Sequence, residues 1–482
     1  MLPKTTQLVV PEVARSWIVN THIRTIKEKP LVIVTRSLEQ AEQLENNLLQ
    51  VDNAIDIEVL PPWESFPLEK ISPQTHIMGK RNKVFWRLKK KDYPDVVIST
   101  ARSISQVIAN QEFDSTIDIH NGHELSYEGL LDQLSSFGYK RTTQVERCGE
   151  FSIRGSIIDI YPSTYEEPIR LEMWGDEVER LTTFSTRDQL SKNPLTAAQI
   201  FPASELCITD DVRLRAQELA EEMPWGATFW EIIAEGGLLD GVENLLPWLN
   251  PKRETILDLL PSSTLVLLFD AKEIQQRIEN LISEEQSISE MLFETLSPKT
   301  EHRMQTLHLA FDEVFTREKA RVVEVNSSSA ELTDPDITVL TPERSNTEPL
   351  HVLQGLVKDG YDVILLSENE KSIEILGSKL AQLDFNTVVD VTDLPIKETS
   401  GISIIPGVDI VSVIFPELKF AIINERELSK RRQSPRQVKQ KPNAPSIAFM
   451  DLKEGAFVVH EHHGIAIFRG IVKRSLGDVE RD

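Results

Sequence analysis

The stretch Leu31-Val32-Ile33-Val34-Thr35 decides the fold class of this chain. An unbroken apolar run of this length, rich in β-branched residues, is typical of a parallel strand that is buried on both faces. Ser37 can cap the helix that follows, because apolar residues recur at helical spacing over residues 38–48. Ile57–Leu60 and Val96–Thr100 supply further strands, with a basic helix between them. This alternation predicts an α/β fold with a parallel sheet.

The alternation of strands and helices changes near residue 113. Strand-like pieces punctuated by glycine and proline then surround one helix up to about residue 206, which indicates a small α+β insertion. The apolar run Leu265–Phe269 and the helical pattern after it resume the earlier alternation. We therefore expect residues 207–325 to complete the sheet domain that the insertion interrupts.

A second, smaller α/β unit is predicted beyond residue 340, where an apolar strand lies between two helical patterns. Residues 430–445 hold six Lys or Arg residues and three prolines without any acid, a composition typical of an exposed linker. Strand-like alternation returns in residues 455–472. The predicted divisions are 1–112 and 207–325 for the first α/β domain, 113–206 for the insertion, 340–430 for the second α/β domain, 431–446 for the linker, and 447–482 for an incomplete β domain.

Composition limits the class of protein and its surroundings. A chain of 482 residues is too long for one core and predicts several domains. Only Cys148 and Cys207 occur, far apart in sequence, so we expect a protein of the reducing cytoplasm without a disulfide framework. No apolar run approaches the roughly 18 residues of a membrane span. The net charge of −24 predicts that any contact with nucleic acid is local or belongs to a part outside this chain.

One strand predicts a docking surface for another protein. In Ile169–Trp174, three apolar residues alternate with Arg170, Glu172 and Trp174, and a strand sends successive side chains to opposite faces. Arg and Trp are enriched at the centres of protein interfaces. The alternative is that Trp174 folds over the hydrocarbon stem of Arg170. If the outer side chains are exposed, their replacement should leave the stability of the protein almost unchanged.

The sequence lacks the motifs of nucleotide or metal chemistry. A phosphate-binding loop (P-loop) needs glycines that let backbone N–H groups surround the phosphates, followed by Lys and a hydroxyl. The nearest candidate is Gly79-Lys80-Arg81, which has no glycine five residues earlier and Arg in place of the hydroxyl. The basic run over residues 80–91 is usual for a solvated helix face, although it could contact DNA phosphates or acidic patches of the protein itself. The histidines at 460–463 lack the spacing of a helical zinc site.

Four segments together resemble the N-terminal half of the bacterial transcription-repair coupling factor (Mfd) family, over nearly the whole chain. They are Leu60-Pro61-Pro62-Trp63-Glu64-Ser65-Phe66-Pro67, Gly149 to Pro162, Arg170 to Glu179, and Val458-Val459-His460-Glu461-His462-His463-Gly464. The resemblance implies a module related to the first domains of UvrB, whose helicase-like sheet has lost its P-loop. It also implies that the inserted domain docks UvrA, the partner in nucleotide excision repair.

The resemblance assigns residues to both partners. Arg154, Arg170 and Trp174 match the UvrA-contacting positions of the family, which usually has Phe where this chain has Trp174. Residues from about 452 look like the start of a small β barrel that binds the β subunit of RNA polymerase, with His460, His463 and Gly464 in the matching segment.

The resemblance leaves two alternative functions for this chain, a recruitment module and an enzyme. In the family an ATP-driven, Mg-dependent DNA translocase motor follows the polymerase-binding domain, and most DNA contact belongs to that motor. Without it the chain is expected to be a monomeric recruitment module that has no catalytic residues and no cofactor of its own. The alternative is an enzyme, either UvrB itself or a stand-alone helicase, which would need an intact P-loop.

Overall fold

The computed structural model describes residues 6–10, 12, 15–25, 29–109, 116–237, 239–250, 252–296, 305–315, 320–327, 349–367, 370–381, 387–389, 402–406, 412–415, 419–424, 457–460, 464–467, 474–476 and 479–481. The chain divides into two compact units, Met1–Ser429 and Lys430–Asp482. The predicted linker, residues 431–446, lies outside the described residues.

The strands and helices follow each other in a mixed order. In chain order the strands are β1 (Thr6–Val9), β2 (Leu31–Thr35), β3 (Ile57–Leu60), β4 (Val96–Thr100), β5 (Ile117–His120), β6 (Lys140–Arg141), β7 (Glu150–Arg154), β8 (Ile157–Ile160), β9 (Ile169–Trp174), β10 (Glu177–Phe184), β11 (Ser191–Pro194), β12 (Ala197–Ile200), β13 (Leu265–Phe269), β14 (Arg321–Asn326), β15 (Asp362–Ser367), β16 (Thr387–Val389), β17 (Ile402–Pro406), β18 (Val413–Phe415), β19 (Phe420–Asn424), β20 (Phe457–His460), β21 (Gly464–Ile467), β22 (Arg474–Leu476) and β23 (Val479–Arg481). The α-helices are α1 (Arg15–Thr25), α2 (Leu38–Val51), α3 (Thr75–Lys89), α4 (Ala101–Ser105), α5 (Tyr127–Ser136), α6 (Asp210–Glu222), α7 (Ala227–Ala234), α8 (Leu246–Leu249), α9 (Ala271–Leu296), α10 (Phe311–Phe315), α11 (Pro349–Lys358) and α12 (Glu370–Ala381).

The first sheet is parallel throughout, with strand order β1-β14-β13-β2-β4-β3. All five residues of β2 are buried, and they alternate between two cores: Val32 and Val34 pack on one face, Leu31 and Ile33 on the other. The prediction of a parallel strand covered on both faces is confirmed. The predicted cap is confirmed as well, since the Ser37 side chain accepts a hydrogen bond from the backbone N–H of Gln40.

Segments far apart in sequence meet in this sheet. Strands β13 and β14 lie between β1 and β2, although more than a hundred residues separate β4 from β13 in sequence. This pairing is the one expected of a sheet that an insertion interrupts. The exact domain boundaries stay predictions.

The intervening residues form a sheet of their own, with strand order β11-β10-β9-β8-β7-β6. Its pairs are antiparallel except β6 with β7. Helix α5 and the paired strands β5 and β12 contribute residues to the core on one face of this sheet. Helix α5 ends at Ser136, and Gly138 just beyond it adopts a φ of +80°, a conformation that suits the residue after a helix end.

The second α/β unit has strand order β16-β17-β15-β19-β18, parallel except for β18. Helices α11 and α12 pack on one face, and Ile364, Leu366 and Ile422 on the other face belong to the same core as β2. In the second compact unit, β20 pairs with β21 and β22 with β23, both antiparallel. Within the described residues, none of the helices is long and apolar enough to cross a membrane.

Helix α3 joins the first sheet to the inserted residues, and its basic run divides between the two interpretations. The lysines at 80 and 89–91 are exposed, whereas Arg81 and Arg87 pair with acids of the protein itself. Arg81 is fully buried, and its guanidinium donates to both carboxylate oxygens of Glu205 at 2.7 and 3.1 Å. Trp63 donates its indole N–H to the same carboxylate at 3.0 Å. A Cβ at Gly79 would lie 2.4 Å from the Cβ of Ser163, so this glycine allows close packing of the helix. Gly79 and Arg81 therefore pack the helix against the inserted residues.

Candidate docking surface

Strand β9 carries the predicted surface, and its alternation is confirmed on the inner face. Ile169, Leu171 and Met173 are buried in the core beneath the sheet. On the outer face, Trp174 is 78% exposed, which is the largest exposure of any bulky apolar side chain among the described residues. The alternative in which Trp174 folds over the stem of Arg170 is wrong, because the Arg170 guanidinium lies 4.7 Å above the ring of Phe184 instead.

Arg170 itself is not exposed as the alternation predicted. Only 9% of its surface is accessible, and its Nε and Nη2 donate to the two oxygens of Asp159 at 2.6 and 2.9 Å. Asp159 lies directly across from Arg170 on β8 and is fully buried. These hydrogen bonds raise the pKa of Arg170 further above its already high value. The condition under which its replacement would leave stability unchanged is therefore not met at this position.

Two loops cover this end of the outer face, which explains the burial of Arg170. The Gln189 carbonyl accepts a hydrogen bond from Nη1 of Arg170 at 2.9 Å. The Gln189 side-chain amide donates to the carbonyl of Val145 at 3.2 Å, so the loop before β7 and the turn before β11 are joined above the sheet. Strand alternation assigns a side chain to a face, but it does not reveal loops that close over that face.

Arg154 lies at the last position of β7, and its guanidinium also donates to Asp159. The two guanidinium groups therefore share one carboxylate. Gly155 and Ser156 form a two-residue turn between β7 and β8, with a φ of +64° at Gly155. The Arg154 side chain is 44% exposed. One buried carboxylate thus serves two arginines, and the surplus positive charge is on the solvent side.

Trp174 is held at the tip of a braced hairpin. Gly175, with a φ of +63°, and Asp176 form the turn between Trp174 and Glu177. The carbonyl of Asp176 accepts from the backbone N–H of Leu125 at 2.6 Å, and its carboxylate accepts from the N–H of Tyr127 at 3.2 Å. The indole is therefore presented by a fixed backbone, which lowers the entropy lost when a partner binds it.

The sequence did not reveal a second set of outer-face residues, which lie next to one another across strands β7 to β10. Across the sheet, Arg154 faces Ile157, Ile157 faces Glu172, and Glu172 faces Arg180. Arg180 is exposed, and its guanidinium lies 3.7 Å from the Glu172 carboxylate. A bulge between Val178 and Arg180 shifts the alternation of β10 and hides this position from a simple two-residue pattern. Together, Arg154, Ile157, Glu172, Trp174 and Arg180 make up what we call the docking surface.

Two family models match parts of the chain: the UvrB interaction domain over residues 117–206 and the CarD-like/TRCF RID domain over residues 452–482. The transcription-repair-coupling factor of Bacillus subtilis is 27% identical over 487 residues, which is 94% of this chain and 41% of that protein. The factor of Mycobacterium bovis is 26% identical over 520 residues, which is 100% of this chain and 42% of its own length. This chain is a homologue of the transcription-repair-coupling factors.

The match confirms the resemblance that the sequence motifs indicated. This homologue spans about two-fifths of the length of the relatives it matches. The segment similar to the UvrB interaction domain contains the whole docking surface and Arg170. The segment similar to the CarD-like/TRCF RID domain contains the predicted polymerase-binding residues.

Of those three residues, the structure brings two together. His460 ends β20 and pairs with Gly464, the first residue of β21. His463 lies outside the described residues. Within the described ranges, no group of three His, Cys, Asp or Glu side chains could hold a metal ion.

Proposed function

We propose that this chain is the recruitment part of a transcription-repair coupling factor and that its docking surface binds UvrA. The observation that carries the proposal is the exposed Trp174, fixed at a hairpin tip in the segment similar to the UvrB interaction domain. The β subunit of RNA polymerase would be the second partner, bound through the segment of His460, His463 and Gly464. The protein would bring excision repair to stalled polymerase, as a monomer in the cytoplasm.

The same proposal assigns the finer fold. The first parallel sheet would be a helicase-like domain without a P-loop, interrupted by the UvrA-binding insertion. A small α/β domain and the start of a polymerase-binding β barrel would follow. ATP and Mg, the cofactors of the full-length family, would serve a translocase motor outside the two-fifths that are matched here, and most DNA contact would belong to that motor.

The geometry suits a partner that combines acidic and apolar groups. Asp159 neutralises one of the two arginines that it binds, so Arg154 keeps a charge that a carboxylate of the partner can pair with. Planar, charge-assisted pairs of this kind are stronger than neutral hydrogen bonds. Trp174 supplies an apolar anchor beside them. Arg170, buried beneath the turn before β11, would support the site rather than meet the partner directly.

The first test is the binding of UvrA to the purified chain. Trp174→Ala and Arg154→Ala should each weaken binding about 30-fold to 1000-fold, because truncation of such interface residues costs roughly 2–4 kcal/mol. Since Trp174 is largely exposed, its variant should melt at the wild-type temperature. Calorimetric titration and thermal melting measure the two quantities.

Two exposed positions outside the segment similar to the UvrB interaction domain serve as controls. Ile71 is 76% exposed, close to Trp174, and the side chain of Arg213 is 44% exposed, equal to Arg154. Ile71→Ala and Arg213→Ala should bind UvrA as the wild type does. If all four variants bind equally, the docking surface is wrong, and if the wild type does not bind, the proposed function is wrong.

We further propose that this chain binds no ATP. Helix α1 begins at Arg15, close after β1, where a P-loop would stand, and Arg15 donates to Asp270 at 2.6 Å and stacks on Phe269. Asp270 also accepts from the backbone N–H of Ser327 at 2.7 Å. A phosphate at this edge of the sheet would meet the Asp270 carboxylate and would have to compete for Arg15.

Titration of the chain with ATP and Mg²⁺ should therefore give no heat of binding. A P-loop ATPase titrated under the same conditions provides the positive control. A dissociation constant below about 100 μM, near −5.5 kcal/mol, would contradict the proposal. That result would favour the alternative function, a UvrB-type or stand-alone helicase.

A further inference from the structure

A second bulky apolar side chain is exposed in the segment similar to the UvrB interaction domain. All of residues 117–206 are described, and among them only Trp174 and Leu190 are exposed large apolar side chains. Leu190 is 65% exposed and lies at the end of the turn that joins β10 to β11. An exposed leucine alone means little, since single apolar residues on a surface are common. Leu190 differs from such residues because hydrogen bonds fix the turn that carries it.

The turn that carries Leu190 is held by a dense set of hydrogen bonds. The Ser185 N–H donates to the Leu190 carbonyl at 3.1 Å, and the Gln189 N–H donates to the Ser185 carbonyl at 2.8 Å. The Leu190 N–H donates to the Asp188 carboxylate at 3.1 Å. Gln189 adopts a φ of +62°, a conformation that non-glycine residues seldom adopt. The backbone that carries Leu190 is therefore fixed in one conformation.

Arg170 connects this turn to the docking surface. Its Nε and Nη2 bind Asp159, and its Nη1 donates to the Gln189 carbonyl, one residue before Leu190. Asp159 in turn binds Arg154 of the docking surface. Arg170 and Trp174 share the outer face of β9, four residues or roughly 13 Å apart. Leu190 and Trp174 thus stand at two ends of one surface, with the arginines between them.

We propose that Leu190 is a second apolar anchor for UvrA and that Arg170 is a positioning residue, which acts by holding the Leu190 turn against Asp159. This inference rests on the proposed function and adds a contact to the same surface. The partner would present two apolar patches that flank an acidic group, matching the order Trp174, Arg154, Leu190. Arg170 would have no need to contact the partner, in agreement with its burial.

The test compares leucines of similar exposure. Leu190→Asp should weaken UvrA binding at least 30-fold without a change in melting temperature, because the side chain packs on little and its replacement adds a charge to the contact. Leu214, 57% exposed on α6 outside the matched segment, is the control. Leu214→Asp should bind as the wild type does. All titrations use the full chain and purified UvrA.

A double-variant cycle tests the role of Arg170. If Arg170 acts through the turn, Leu190→Ala should weaken binding several-fold in the wild-type background but much less in the Arg170→Met background, since the turn is then already displaced. Equal losses in both backgrounds would overturn the positioning role. Binding by Leu190→Asp within twofold of the wild type would overturn the anchor while leaving the proposed function intact. Failure of the wild type itself to bind UvrA would overturn both.

Discussion

Arg81→Met is expected to lower the free energy of unfolding by about 3–5 kcal/mol, the cost of removing one partner from a buried ion pair. Glu205 would keep the indole N–H of Trp63 but would lose both guanidinium contacts, and the Pro61 carbonyl would lose its bond to Nη1 of Arg81. Methionine fills much of the space of the arginine stem, so the loss reports the charge rather than a cavity.

The cost should depend on pH, and the direction follows from Glu205. Burial raises the pKa of Glu205, and Arg81 and Trp63 oppose that rise. Without Arg81 the folded protein would hold a proton on Glu205 at a higher pH than the unfolded chain does. Stability of the variant should therefore fall as pH rises from the ordinary carboxyl range, about pH 4, through the raised pKa. The deficit should be smaller at pH 5 than at pH 8.

Urea titrations of the wild type and the variant at the two pH values measure this difference. Lys80→Met, on the exposed neighbour of Arg81 in α3, is the matched control and should change the free energy of unfolding by less than about 0.5 kcal/mol. Glu205→Gln combined with Arg81→Met should cost less than the sum of the single changes. A loss for Arg81→Met no larger than the control would show that the pair does not stabilise the fold.

The contrast between Arg81 and the parallel strands shows which features a sequence makes visible. The strands of the first sheet could be predicted because burial on both faces requires unbroken apolar runs. Arg81 stands in a basic run, and its partner Glu205 is more than a hundred residues away in sequence. No local pattern identifies the partner of such a residue, so the sequence left open whether the basic run is solvated or contacts acids of the protein itself.

On strand β9, too, one feature could be predicted from the sequence and another could not. The exposure of Trp174 followed from alternation along one strand, a local property. The burial of Arg170 depends on Asp159 across the sheet and on Gln189 in a turn, so it depends on tertiary structure. One signal was nevertheless present: Asp159 interrupts the apolar run Ile157-Ile158-Asp159-Ile160, and an acid at such a position requires a cation nearby.

Arg170→Glu should show both consequences of this burial, a loss of stability of at least 3 kcal/mol and a loss of UvrA binding of at least 100-fold. The new carboxylate would lie beside the buried Asp159 with no cation between them except the half-exposed Arg154, and an unpaired buried charge costs several kcal/mol. The Gln189 carbonyl would lose its donor, so the Leu190 turn would be released as well.

Arg180→Glu makes the same change of charge on the same face of the sheet, but at an exposed position with a weak ion pair. It should weaken UvrA binding through repulsion and should leave the melting temperature within about 1 °C of the wild type, since exposed pairs contribute little to stability. Arg170→Glu should instead lower that temperature by on the order of 10 °C. If both variants melt like the wild type, Arg170 is a surface contact after all, and the support that joins Asp159 to the Leu190 turn contributes nothing to the fold. If both variants lose UvrA binding but only Arg170→Glu is destabilised, the two arginines have different roles: Arg180 contacts the partner, and Arg170 holds in place the groups that do.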